Sequence, residues 1–396
     1  VPPATLARVS EPLVRRMREF GTTVFATMTK LAVETGSINL GQGFPDTDGP
    51  ARMLEHAVAA VRDGFNQYPP GPGVPELRQA VADHRKKWYG LAYDPDGEVL
   101  VTVGATEAIA AAVLALCEPG DEVVVFEPYY DSYAAAVALA GAVRRPVTLR
   151  VDAGRFTFDP AELAAAIGPR TRAILVNSPH NPTGTVFNRQ ELEAIAEVCR
   201  ERDLIAISDE VYEHLTFDGV EHVPLATLPG MRERTVMISS AGKSFSVTGW
   251  KTGWICAPAP LVGAVQAVKQ FLTFTAAAPW QLAVAYGLRE EMDWVAGLRA
   301  DLQAKRDRLI TGLESAGFGV LRPSGTYFVQ TDIRPLGFDD GLELARRLPE
   351  LAGVVAIPTQ AFYDHAARGR HFLRFAFCKR DEIIDEAVTR LRRLGS

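Results

Sequence analysis

Cysteine is the first scarcity. The 396 residues carry four, Cys117, Cys199, Cys256 and Cys378, with no CxxC pair and no metal-ligand spacing. A disulfide framework is therefore excluded, and a reducing cytoplasm is the expected compartment. Long apolar runs are missing too. The longest, such as Ala134 to Val143, reach about half the 18 to 20 residues that a spanning helix needs, so no membrane segment is expected. The opening VPPATLARVSEP lacks the apolar core of a secretory signal. Positive charge is not in excess either: 42 Lys and Arg against 48 Asp and Glu leave a net charge of -6, so nucleic acid is not an expected partner. The seven histidines show no ligand spacing and no metal is expected, although His180 sits inside a turn of interest described below.

What is present reads as a globular chain of two or three domains, with 47% hydrophobic and 23% charged residues. From about residue 99 to 257, β-rich runs alternate with stretches of helical length, the pattern of a mostly parallel sheet covered by helices. The spacing predicts strands at Val99–Val103, Val123–Phe126, Ala173–Asn177, Leu204–Ser208, Thr235–Ser239 and Trp254–Ala257. Both chain ends differ, with a long helix at Trp294–Ala316 and short strands at Tyr327–Thr331 and Phe372–Phe377, and are expected to form a second, α+β unit. The expected division is an N-terminal arm and part of the small domain at 1–48, a large domain at 49–289 and a small C-terminal domain at 290–396. Between them NQYPPGPG, residues 66–73, is a stiff loop.

Ligands of open α/β sheets bind outside the carboxyl ends of the strands, and those ends are loaded here. SAGKSFSVTGWKTGW places Lys243 just after a strand among small and hydroxyl residues, with Lys251 eight residues on. The GKS is not a P-loop, because Met237 stands where that motif needs its first glycine. One lysine can form a Schiff base while the other holds an anion. NSPHNPTG, residues 177–184, is by itself a tight turn, and Asp209 in SDEVY is by itself a helix N-cap. An aldehyde-bearing pyridine cofactor, however, needs a carboxylate on its ring nitrogen, a lysine on its aldehyde and hydrogen bonds to its phenolic oxygen; Asp209, Lys243, Asn181 and Tyr212 fill that list. VGATEA supplies a strand-to-helix turn for a phosphate, with Gly104 and Thr106, and EPYYDSY offers Tyr129 as a ring for stacking.

Taken together, these motifs resemble the class I/II aminotransferases of the fold type I pyridoxal-phosphate enzymes, along essentially the whole chain. NLGQGFPD, residues 39–46, and the GWKTGW ending are similar to the branch of kynurenine, glutamine and methionine transaminases and N-succinyldiaminopimelate aminotransferases. The resemblance implies an α/β fold with a mostly parallel seven-stranded sheet in a large domain plus a smaller α+β domain, and pyridoxal 5'-phosphate as cofactor. It implies that Lys243 carries the cofactor and moves the substrate proton, that Asp209 holds the ring nitrogen protonated, and that Asn181 and Tyr212 bond the phenolic oxygen. Gly104, Ala105, Thr106, Ser240 and Lys251 form the implied phosphate cradle, and Tyr129 the stacking ring. Many members have arginine at the position of Lys251; lysine keeps the charge and loses the bidentate fork.

In FLRFAFCK the alternation sets Arg374 opposite Leu373, Phe375 and Phe377, and the resemblance implies that it grips the substrate α-carboxylate. Gly41, Asn181, Phe25 and Phe274 are the further implied substrate contacts. A homodimer with shared sites follows by the same route, with Tyr68 reaching the neighbouring subunit's phosphate and Phe274 lining its pocket. The expected reaction is ping-pong transfer from an L-amino acid to a 2-oxo acid. FLTFTAAAPWQ, residues 271–281, is uncharged, and with Phe25, Phe274 and Trp280 it favours a neutral, large or aromatic donor. The alternatives are N-succinyl-LL-diaminopimelate as donor, or β-elimination as in cysteine-conjugate lyases. A regulator's ligand-sensing domain is a further rival, for which the chain has no room to carry a DNA-binding segment.

Overall fold

In the computed structural model, which describes residues 13–394, seven strands make one sheet. VPPATLARVSEP, and with it the first part of the expected arm, lies outside the described residues. The strands are β1 (Val99–Thr102), β2 (Glu122–Glu127), β3 (Val143–Thr148), β4 (Thr171–Asn177), β5 (Ile205–Asp209), β6 (Thr235–Ser240) and β7 (Gly253–Cys256). Their order is β1-β7-β6-β5-β4-β2-β3, parallel throughout except for β7, which is antiparallel to both its neighbours. Six of them fall where the sequence predicts, within two residues at each end. The seventh, β3, escapes the pattern because its VRRPVT is half exposed and carries Arg144, Arg145 and Pro146. Charge and proline suit an edge strand, where no further ladder has to form.

β2 is buried along its whole length, and β4 from Ala173 onward, because helices cover both faces of the sheet. The helices that place functional residues are α1 (Val24–Thr35), α2 (Pro75–Tyr89), α3 (Gly104–Leu116), α4 (Asp131–Leu139), α5 (Arg189–Glu201), α6 (Ala259–Leu272), α7 (Ala278–Glu290) and α8 (Met292–Ser315). α5 shows how locally these are specified: Asn188 and Glu191 form a reciprocal capping box, and Leu192, Ile195, Ala196 and Cys199 make one buried stripe.

A second sheet, β8 (Gly319–Leu321), β9 (Phe328–Asp332), β10 (Ile357–Pro358) and β11 (Phe372–Ala376), is antiparallel in the order β8-β9-β11-β10. It shares a core with α1 and α8 through Met28, Ala32, Leu309, Leu313 and Phe375. The N-terminal residues Ile38 and Asn39 pair in parallel with Val354 and Val355, so both chain ends meet in this region. Val211, Tyr212 and Leu215, from the turn after β5, belong to the same core and fasten it to the large sheet.

That turn is also held from below by a buried ion pair. Arg85 on α2 makes a bidentate bond to Glu213 at 2.5 and 2.7 Å, and the carboxylate also accepts from Tyr89 at 2.7 Å and Ser239 at 2.5 Å. Burial raises the Glu213 pKa, but Arg85 and the neighbouring His214 and His84 more than offset this and hold it well below 4.5. The stability it contributes is therefore present above about pH 4.5 and lost on acidification. Arg85→Ala leaves that carboxylate buried and unpaired, and should cost about 3–5 kcal/mol in urea unfolding of the purified protein; an unchanged midpoint would show that the pair is dispensable.

Candidate active site

The carboxyl ends of β1, β2, β4, β5 and β6, and the amino end of antiparallel β7, open onto one cavity of about 270 Å³. Reversal of β7 matters here: it brings Lys251, which precedes the strand, to the same edge as residues that follow the others. Lys243, Asp209, Tyr212, Asn181, Gly104, Ala105, Thr106, Ser240, Lys251, Phe25 and Arg374 all line it.

Asp209 ends β5 and is 4% exposed. Its carboxylate accepts from the Tyr133 hydroxyl at 2.6 Å and the Val211 amide at 3.3 Å, and among the described residues it pairs with no cation. No helix follows it, so the N-cap explanation falls away. Burial raises its pKa to about 6, the two hydrogen bonds opposing. Asn177 shapes the neighbouring turn, donating to Asp209 O at 2.9 Å and accepting from Asn181 N at 2.7 Å. His180 in that turn is buried against Phe187 and bonded to Thr183, and burial drops its pKa to about 3. It is a packing residue and does not line the cavity.

Lys243 sits in a single helical turn after β6, its ammonium donating to Tyr327 Oη at 2.9 Å; Tyr327 in turn donates to Gly43 O at 2.7 Å. Burial pulls its pKa down to about 8, against the attraction of the Cys378 thiol and Asp209. At neutral pH a useful fraction is free amine, the nucleophilic form. Opposite, α3 begins at Gly104 with φ +72°, and a Cβ there would lie 3.3 Å from Lys251 Nζ. A Cβ on Gly253 would meet the Gly104 backbone at 2.8 Å, so the two glycines let β7 and the helix start close on each other. An α3 N-terminus, Thr106, Ser240 and Lys251 thus converge on one anion-sized space.

Arg374, on β11 opposite Gln330 of β9, is 1% exposed. It donates to Asn181 Oδ1 and Gly41 O, each at 2.9 Å, while its Nε is buried without a partner. Phe328 lies 3.9 Å from the guanidinium, and Phe25 and Phe362 lie 5.2 Å away. Burial lowers its pKa to about 10. A buried guanidinium held by neutral groups and aromatic faces, with no carboxylate paired to it among the described residues, is a receptor for an anion.

Three expectations need correction or relocation. Tyr129 is not a cavity residue: its amide bonds Phe362 O, and its neighbour Tyr130 lines the cavity instead, because adjacent residues of an extended segment point opposite ways. Tyr130 and Tyr133 form an i,i+3 pair in EPYYDSY, the spacing that identifies the inward face. Tyr68 is 81% exposed and Phe274 is 51% exposed, edge to face at 5.2 Å, and neither reaches this chain's own cavity. Trp280 stacks on Trp250 at 5.1 Å and also does not line it. Tyr133, Tyr327, Phe328, Gln42 and Gly43 are site residues that sequence reasoning missed. Among the described residues, His84, Glu213 and His214 lie close enough to hold a metal, but Glu213 is engaged by Arg85, Tyr89 and Ser239.

Residues 35–391 match the family described as aminotransferase class I and II. The chain belongs to that family. It is 54% identical over 386 residues, 96% of this chain and 97% of the relative, to the probable N-succinyldiaminopimelate aminotransferase DapC of Mycobacterium tuberculosis. The methionine aminotransferase of Escherichia coli is 39% identical over 387 residues, 97% and 100% of the two chains. The solved N-succinyldiaminopimelate aminotransferase of M. tuberculosis superposes with TM-score 0.95 at 55% identity, covering 96% of this chain and all of that one. The protein is a pyridoxal-phosphate-dependent aminotransferase with the fold type I architecture. The cofactor fits the residues present: an uncompensated Asp209 carboxylate, a lysine amine aimed into the cavity and a glycine-cleared cradle beside Lys251.

Lys243→Ala should lower kcat by about three orders of magnitude or more, measured by oxo-acid formation. Asp209 must be ionised to hold a protonated pyridine nitrogen. With its pKa raised to about 6, cofactor affinity should weaken as pH falls from about 7 to 5, and Asp209→Asn should abolish that slope. A flat wild-type profile would remove Asp209 from this role.

Proposed function

We propose that this aminotransferase takes N-succinyl-LL-diaminopimelate as amino donor and a 2-oxo acid as acceptor, in a ping-pong cycle. The observation that carries the reading is the 54% identity, over 96% of the chain, to a relative bearing that name. Pyridoxal 5'-phosphate, when bound, supplies the electron sink for negative charge at the substrate Cα and carries the amino group between half-reactions. The protein does the rest. Arg374 clamps the α-carboxylate, with Asn181 and Gly41 fixing its plane. Lys243, tuned by burial toward its free amine, would take the Cα proton as a base. Asp209, oriented by Tyr133, would keep the ring nitrogen protonated, and Tyr212 and Asn181 would hold the phenolic oxygen. Tyr130 provides the ring face, and Gly104, Ala105, Thr106, Ser240 and Lys251 the phosphate cradle.

A second donor class is favoured by the cavity wall. Beyond Arg374 it is aromatic, with Phe25, Tyr130 and Phe328, and among the described residues no second arginine lines it. That wall suits methionine, glutamine, phenylalanine or kynurenine. In the first reading the far carboxylates of the succinylated donor stay hydrated at the mouth, since burying them unpaired would cost several kcal/mol. The assembly in this proposal is a homodimer, supported by the outward display of Tyr68 and Phe274 beside exposed Phe65, Phe271 and Leu272. The catalytic unit is divided as 1–48, 49–289 and 290–396. Four free, buried cysteines and the lack of any helix long and apolar enough to cross a membrane, both among the described residues, are in keeping with a cytoplasmic enzyme.

A donor panel at fixed 2-oxoglutarate tests the substrate. N-succinyl-LL-diaminopimelate should give a kcat/KM at least about tenfold above methionine or glutamine; the reverse order would install the neutral donor, and pyruvate and ammonia from a cysteine conjugate would install elimination. Mixing Lys243→Ala with Tyr68→Phe subunits should restore activity through hybrid sites carrying both residues. No recovery after demonstrated exchange counts against shared sites.

A further inference from the structure

Two buried charged side chains outside the cavity have no part in the chemistry. Lys269, in the last turn of α6, is 1% exposed, yet forms no ion pair with a described carboxylate; its ammonium donates to the carbonyl of Phe274 at 3.2 Å. Glu107, in the first turn of α3, is 9% exposed. One of its oxygens accepts from Val103 N at 2.6 Å, and the other from the hydroxyl of Thr273. Burying an ammonium is costly unless it is paired and hydrogen-bonded, and the bond Lys269 makes is to the Phe274 carbonyl. Here it holds Phe274 in the left-handed region, φ +64°, a conformation that a bulky side chain adopts only when its surroundings impose it.

The neighbouring loop is tied to the same point. Buried Gln281 on α7 accepts from Val74 N and donates to Ala276 O, both at 2.8 Å, and Thr275 reaches Pro70 O at 3.4 Å. The loops carrying Tyr68 and Phe274 are thus one unit, anchored to the start of the helix that cradles phosphate. We infer that Lys269 and Glu107 are positioning residues, a latch that sets the segment carrying Phe274 against the phosphate-cradle helix and so fixes the donor-binding wall that Phe274 gives to the neighbouring subunit. The inference rests on the shared-site reading above.

The test uses the loaded dimer and steady-state kinetics with N-succinyl-LL-diaminopimelate and methionine as donors. Lys269→Met should raise the donor KM about tenfold while kcat stays within about twofold and the visible cofactor band is unchanged. Phe274→Ala should raise KM comparably, and the double variant should be no worse than Phe274→Ala, because both changes remove the same wall. If Lys269→Met does not accumulate as a dimer, Thr273→Val, which removes only the hydroxyl bonded to Glu107, carries the same expectation. Additive KM effects, or a loss of kcat and cofactor without a KM change, overturn the latch. A raised KM in Phe274→Ala with none in Lys269→Met or Thr273→Val overturns the latch alone. An unchanged KM in Phe274→Ala overturns the shared site, and the latch with it.

Discussion

Burial of three ionisable groups around one cavity, with no ion pair joining any two of them, is the constraint on which the structure depends. Asp209, Lys243 and Arg374 are each taken out of water, and each is shifted toward its neutral form by that removal. Partners that would neutralise them are withheld: Asp209 receives only a phenol and an amide, Lys243 a phenol, and Arg374 a carboxamide and a carbonyl. Such a site is poorly self-satisfied: a pyridinium would pair with Asp209, an aldehyde would take the Lys243 amine, and a carboxylate would pair with Arg374.

The scaffold keeps these groups apart by drawing them from separate elements. Asp209 and Lys243 follow parallel strands, Lys251 precedes the antiparallel one, and Arg374 comes from the second sheet. Rigidity comes from below, where Arg85 and Glu213 pin the turn that carries Asp209 and Tyr212. There the Glu213 carboxylate accepts two bonds from Arg85 and one each from Tyr89 and Ser239, whereas Asp209 in the cavity above has no cation bonded to it among the described residues. A paired charge holds the frame, and unpaired charges make the site.

Much of this was legible in the sequence, and the reasons for the failures are physical. Strand ends announce themselves because each apolar run stops in polar or glycine-rich residues, and Asp209, Lys243, Asn181 and Gly104, which follow such ends, line one cavity. β3 was illegible because an edge strand need not be apolar. Tyr129 and Tyr130 are chemically identical, and only the fold shows that Tyr130 is the one that faces the cavity. Tyr327, Phe328 and Tyr133 were missed since each is an aromatic residue in a buried run; their roles arise from contacts with groups more than seventy positions away or in another strand. Lys269 and Glu107 look like ordinary surface charges until the fold buries them.

The incompleteness of the site is most directly tested by the stability of the apoprotein with and without Arg374. Urea unfolding of Arg374→Met should show a midpoint equal to or above that of the wild type, because an unpaired buried charge has been replaced by an apolar side chain of similar length. Carboxylate ligands such as 2-oxoglutarate should raise the wild-type midpoint and leave the variant unmoved. A variant clearly less stable than wild type, and still protected by the carboxylate, would contradict the view that Arg374 is held in readiness for an anion.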